Sequence, residues 1–154
     1  MSGEEVVPAK KKRKGTKDER LKRSQVLLDV TRRCASLANI QDVWKELVSM
    51  TSYELDCDRG TLFLNDNETN ELFSFVAQGN LTREIRILND SGIAGHVFQT
   101  GQAMLSDNPY EDPLFNREVD QRTGYTTRNI ACVPVRTMAG EKIGVMQTLN
   151  KRLG

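Results

Sequence analysis

Histidine and cysteine are scarce in this chain: its 154 residues include one histidine, His96, and three cysteines, Cys34, Cys57 and Cys132. The cysteine number is odd and no pair has C-x-x-C spacing, so neither a disulfide framework nor a structural zinc site is expected. One histidine and scattered cysteines offer no metal or haem ligand set. Long apolar runs are missing too. Nothing approaches the roughly 20 residues of a membrane span, and the charged N-terminus lacks the apolar core of a signal peptide. The expected location is the cytosol. Catalytic signatures are equally thin, with no G-x-S-x-G elbow and no Walker loop. His96 follows Gly95 on a short helix, where a packing or hydrogen-bonding role is expected, so no catalytic residue is assigned.

What is present is an ordinary globular composition, 38 % apolar and 28 % charged, in a length that suits one domain. The net charge of +1 hides an asymmetry. Between Lys10 and Arg23, nine Lys/Arg against Asp18 and Glu19 carry +7, leaving −6 on the remainder. A basic tail ahead of an acidic body does not predict nucleic-acid binding. Residues 1–16 read as a basic disordered leader. Its Lys10–Lys14 run resembles a nuclear-localisation or anionic-surface patch, and the plain reading is a solvated stretch.

The periodicity predicts two helices and then strands. From Lys17 to Ala38, Leu27, Val30, Cys34 and Leu37 form one apolar row and Leu21, Leu28 and Ala35 a second, enough for a domain contact and a partner-helix contact. A second helix over 41–55 would bury Ile40, Val43, Trp44, Leu47 and Thr51. Strands are expected at 60–65, 71–77, 83–87, 103–105, 130–135 and 142–149, with a short helix over 93–100 closed by Gly101. Short turns between strands predict an antiparallel sheet with helices on at least one face. Cys34 and Cys132 read as small core side chains.

Two segments could hold a ligand. Asp90-Ser91-Gly92-Ile93-Ala94-Gly95 leads into a helix N-terminus, where unpaired amides favour an anion. The connection from Ser106 to Asn129 is long for a compact domain, which predicts function, with a helical turn around 115–121. It gathers Asp112, Asn116, Glu118, Asp120, Thr123, Thr126 and Thr127 around Tyr110, Phe115 and Tyr125, groups suited to a ribose and a base edge.

Those residues carry a resemblance. Gly92-Ile93-Ala94-Gly95-His96-Val97, Tyr110-Glu111-Asp112-Pro113, Phe115-Asn116, Val119-Asp120, Thr123 to Ile130, Gly144-Val145 and Asn150-Lys151 resemble the GAF domains of cyclic nucleotide phosphodiesterases and related bacterial adenylate cyclases. The resemblance covers residues 20 to 151. It implies an α+β fold, a six-stranded antiparallel sheet with helices packed on its faces, and an N-terminal helix available for homodimerisation. The GAF domain would span 17–154. The family's motif runs on from Asn150-Lys151, a pair that supports the fold, into a final helix. The chain stops at Gly154, so the expectation is a piece of a larger protein.

The implied ligand is a cyclic nucleotide, with no other cofactor. Its phosphate would meet Ile93 and Ala94. Thr61, Ala77 and Gln78 would approach the purine, Asp120, Thr123 and Thr127 would come from the lid, and Gln147 would touch from the last strand. Guanine-nucleotide binders of the family can carry an aromatic residue and an Asp where Ala77 and Gln78 stand, so the resemblance leans towards cAMP over cGMP. The function implied is that of a regulatory sensor acting on an output domain, phosphodiesterase or cyclase, of the same full-length protein. The alternative is a GAF fold that binds no ligand and serves as a dimerisation module. Bilin attachment in another branch uses a Cys beside a His, a pairing absent at Gly95-His96.

Overall fold

The computed structural model describes residues 16–79 and 84–152. The basic run Lys10–Lys14 and the start of the strand expected at 83 lie outside them. Four α-helices, one 3-10 turn and six strands follow in the order α1 (Lys17–Ala35), α2 (Ile40–Glu54), β1 (Cys57–Asp66), β2 (Glu71–Ala77), β3 (Arg86–Leu88), α3 (Gly92–Thr100), β4 (Met104–Ser106), the 3-10 turn Pro109–Glu111, α4 (Arg117–Thr123), β5 (Ile130–Arg136) and β6 (Lys142–Lys151). The strands form one sheet in the order β3-β2-β1-β6-β5-β4, every neighbouring pair antiparallel. This is the six-stranded antiparallel sheet that the resemblance implied.

Register decides which residues share a face, because directly opposed side chains on paired strands point the same way. One row crosses the sheet as Ala77–Thr61–Gln147–Cys132–Met104. The row beside it is Arg59–Leu149–Ile130–Ser106. Phe63 opposite Val145 continues the same face in the other direction. Against this face packs α3, whose Ile93, Ala94, Val97 and Phe98 join Phe63, Leu72, Ile130, Cys132 and Val145 in the core. Leu72, Val97, Cys132 and Val145 are fully buried. Each large aliphatic among them contributes about 1.5–3 kcal/mol by leaving water. Burial pushes the Cys132 thiol up to about 12, so at neutral pH it is a protonated core side chain, as read from its strand.

The opposite face carries α2. Gly60 is the contact point: a Cβ there would lie 2.9 Å from Val48 Cγ1 and 3.2 Å from the Val48 carbonyl oxygen. The missing side chain lets Val48 and Ser52 seat directly on β1. They, and not Ile40, form the most buried line of α2, which corrects the expected face by one step around the helix. Ile40 opens the helix ahead of the sheet and stays 65 % exposed.

Helix α1 starts where expected because Thr16 and Glu19 complete a reciprocal capping box. It ends at Ala35, short of Ala38, and buries none of its residues. It packs against α2, and Cys34 is half-buried rather than a core residue. His96 is another correction: it faces solvent on α3, while its neighbours Gly95 and Val97 are buried. The register of α3 turns positions 93, 94, 97 and 98 towards the sheet, and 96 falls on the outside. The helical turn expected at 115–121 lies two residues later, as α4, because the Asn116 side chain caps it.

Candidate functional site

A cavity of about 70 Å³ lies between the α3 face of the sheet and the connection from β4 to β5. Phe63, Ile87, Ile130, Gln147 and Leu149 form its floor, Gly92, Ile93 and Ala94 one wall, and Phe115, Asn116, Val119, Asp120 and Thr127 its cover. The wall is a helix start. Gly92 opens α3 with φ +71, a left-handed conformation suited to glycine. Ser91 makes no side-chain cap bond there. The amides of the first helical turn therefore lack an intrahelical acceptor, as at any helix start, and here Ile93 and Ala94 are buried at 3 % and 2 % exposure. Uncapped buried donors beside a cavity favour an anionic oxygen.

The cover is organised by Asp120. Its Oδ2 accepts from the Thr127 amide at 2.7 Å and from the Tyr110 hydroxyl at 2.9 Å, and its Oδ1 accepts from the Thr127 hydroxyl at 2.8 Å. Asp120 and Thr127 are 6 % and 2 % exposed, so these bonds stand in for the water that a carboxylate and a hydroxyl lose on burial. The Asp120 bond holds the Tyr110 phenol above its ordinary pKa, so its proton stays on.

Asn150 anchors the far end of the cover. Its Oδ1 accepts from the amides of Arg128 at 2.6 Å and Asn129 at 3.4 Å. Its Nδ2 donates to the Thr126 carbonyl at 2.9 Å and to the Tyr125 hydroxyl at 2.8 Å. Nearby, Asp58 accepts from Arg152 at 2.9 Å and from Arg128 at 3.4 Å. The Arg152 hydrogen bond, ahead of the charges of Arg152 and Arg128, holds the Asp58 carboxyl below the usual 3.8. A lowered folded pKa stabilises above the unfolded value, and that contribution disappears as pH falls through the folded one. Melting temperature should therefore drop as pH falls below about 3.8 partly through Asp58, and Asp58→Asn should show a shallower drop on that acid side in a thermal-melt series.

Five of the nine ligand positions expected from the resemblance line this cavity: Ile93, Ala94, Asp120, Thr127 and Gln147. Thr61 and Ala77 stand in the same cross-strand row as Gln147, next to the cavity floor. Gln78 goes elsewhere. Its Oε1 accepts from the Gly60 amide at 2.7 Å and lies 2.6 Å from the Ser52 hydroxyl, so its side chain is tied to the α2 side. Thr123 is exposed at the end of α4 and donates to the Val119 carbonyl at 2.8 Å. Asn150 is the anchor just described, and Lys151 is exposed with its amide donating to Asn129 Oδ1.

Phe63, Ile87, Val119, Ile130 and Leu149 line the site in addition to the residues the resemblance implies. Strand alternation from Thr61 points to Phe63, and alternation from Gln147 points to Leu149. Helical spacing from Asp120 points to Asn116. Ile87 and Ile130 carry no local mark, because only the closure of the sheet brings them in.

A family model described as the GAF domain matches residues 39–153. The chain is 34 % identical over 146 residues to a probable 3',5'-cyclic phosphodiesterase of Caenorhabditis elegans, covering 86 % of this chain and 20 % of that protein. It is 28 % identical over 152 residues to the dual 3',5'-cyclic-AMP and -GMP phosphodiesterase 11 of Drosophila melanogaster, covering 88 % of this chain and 10 % of that protein. The chain thus spans a fifth or less of these relatives. Among solved structures, the nlh2 GAF domain of A. aeolicus in an inactive state superposes with a TM-score of 0.71 at 19 % identity, covering 88 % of this chain and 83 % of that one.

Proposed function

Because the chain belongs to the GAF domain family, we propose that it is a regulatory cyclic-nucleotide-binding domain of a larger signalling protein. One observation carries the reading. The helix start at Ile93 and Ala94 and the residues Asn116, Asp120, Thr127 and Gln147 line the same cavity. The first suits a cyclic phosphate, and the second suits a ribose hydroxyl and a base edge. Two phosphodiesterases among its relatives agree with this ligand class.

The base proposed is adenine, so cAMP is favoured over cGMP. Guanine presents N1–H and N2–H2 donors that a carboxylate at position 78 would meet. Gln78 Oε1 already takes the Gly60 amide and lies within bonding distance of Ser52, so those donors would stay unpaired there. Ala77 brings no ring for stacking, a loss of about 0.5–1.5 kcal/mol for either base.

In this reading the cover is a lid in its closed position. A cavity of about 70 Å³ is well short of the roughly 300–1,000 Å³ of ligand pockets, so entry requires the cover to lift. Lifting and reclosing would pass through β5 and β6 to an output domain, phosphodiesterase or cyclase, in the full-length cytosolic protein. Isothermal titration with cAMP and cGMP is the test. Heat with both, and a lower Kd for cAMP, is the expected result. No heat with either at millimolar concentration overturns the reading.

The same small cavity, with α1, favours a second reading. Leu21 and Leu28 of one apolar row of α1 and Leu27 of the other are 58 %, 49 % and 66 % exposed among the described residues. A ligand-free module that pairs through α1 as a homodimer would use them. Sedimentation with and without residues 1–38 separates the two. A dimer that becomes monomeric on truncation supports pairing through α1, and a monomer in both cases removes it.

A further inference from the structure

We propose that Tyr110 acts as a positioning residue for Asp120, locking the lid shut and thereby setting how readily the cavity admits its ligand. The affinity half of this rests on the reading of the cavity as a nucleotide site. The lock itself does not.

An ionised carboxylate offers about four lone-pair positions. Three of those on Asp120 are filled: two on Oδ2, by the Thr127 amide and the Tyr110 hydroxyl, and one on Oδ1, by the Thr127 hydroxyl. Both Thr127 bonds stay inside the lid, joining α4 to the loop that leads into β5. The Tyr110 bond is different. It comes from the 3-10 turn after β4, and β4 is paired to β5 through Ser106 and Ile130. The phenol therefore ties the lid helix to a turn anchored on the sheet.

The ring is also well placed to hold that bond. Its centroid lies 5.1 Å from that of Phe115, tilted by 55°, and Phe115 is part of the cavity cover. The Arg117 guanidinium carbon sits 5.3 Å above the Tyr110 ring on the first turn of α4. A single side chain thus touches the carboxylate, the aromatic cover and the helix start. Tyr110 is 36 % exposed, so water can take over its hydroxyl when the lid lifts. Opening gives up this bond together with the exposed bond that Arg117 Nη2 donates to the Tyr110 carbonyl, and of the two Tyr110→Phe removes only the first. A ligand group reaching Asp120 gains the acceptor position that Tyr110 vacates.

Tyr110→Phe removes the hydroxyl and keeps the ring against Phe115 and Arg117. The first measurement is amide hydrogen exchange of the ligand-free protein. Residues 117–127, and the Thr127 amide above all, should exchange about 3- to 10-fold faster, the range that one net hydrogen bond converts to. Exchange in α2 and β1 should not change. Unchanged exchange at 117–127, or equal acceleration throughout the domain, overturns the lock. In an Asp120→Asn background the same substitution should add less than it does in the parent protein. A full, independent effect there overturns action through Asp120. The second measurement is titration with cAMP and cGMP. Tyr110→Phe should bind about 3- to 10-fold tighter, mostly through a faster association rate. Equal or weaker binding overturns the affinity half. If exchange quickens while the parent protein binds neither nucleotide, the lock stands and the nucleotide reading falls.

Discussion

Asn150→Ala is expected to lower stability by about 3–5 kcal/mol, enough to move the melting temperature by about 10 °C in a chain of this length. Asn150 is 1 % exposed and takes part in four side-chain hydrogen bonds. Truncation removes the Asn150 partner of the Arg128 amide and of the Thr126 carbonyl, and because both bonds are part-buried each loss costs about 1 kcal/mol, the low end of the range for an unmet partner. Asn150 also has φ +55, a left-handed conformation that asparagine tolerates and alanine resists by about 1–2 kcal/mol. Asn150→Gly separates the two contributions, since glycine has no objection to that backbone. It should recover about 1 kcal/mol of the loss and no more, read as a smaller shift in urea midpoint. Recovery of most of the stability would mean that backbone strain, and not the anchor, dominates. The same variants should loosen the segment from Thr123 to Asn129, because Asn150 holds it from the β6 side.

The second large effect is expected at Gly95→Ala. A Cβ on Gly95 would lie 2.6 Å from the Asp90 carbonyl carbon and 3.0 Å from its Cα. These are backbone atoms, so nothing can swing aside. Either the turn before α3 or the first turn of α3 must move, at a cost of about 1–3 kcal/mol. That turn carries the Ile93 and Ala94 amides, so a nucleotide that uses them should bind at least about tenfold more weakly, one factor of ten per 1.4 kcal/mol. Gly140→Ala, in the turn between β5 and β6, is the control. Nothing lies within 4 Å of its Cβ position, and only φ +87 opposes the change, for about 1–2 kcal/mol. Gly140→Ala should leave nucleotide affinity within about twofold, a difference under 0.5 kcal/mol. An equal loss of affinity in both variants would show that α3 is not the part that matters.

Much of this architecture was legible because it follows from local pattern. The capping box at Thr16 and Glu19, the alternation in β1 and β2, and the turn that closes α3 at Gly101 are each decided within a few residues. The lid was legible by its length and by its polar residues. Gln78 was not: a position next to Ala77 on β2 gave no sign that a glycine at 60 would bring Ser52 within reach of its amide. His96 escaped for a similar reason. A short helix of glycine and alanine among apolar residues leaves its buried face open until the sheet selects it. The face of α2 went the same way, since the notch at Gly60 and not the helix's own periodicity chose Val48 and Ser52.

The sequence by itself determined that this chain is one α+β domain with an anion-favouring helix start and a long polar cover, since those depend on periodicity, capping and chain length. Only the tertiary structure decided which groups meet. Strand register placed Gln147 beside Thr61 and Cys132, and a bond across ten residues joined Tyr110 to Asp120. Register and lid closure are long-range pairings, and no local pattern of residues encodes which acceptor a distant donor will reach.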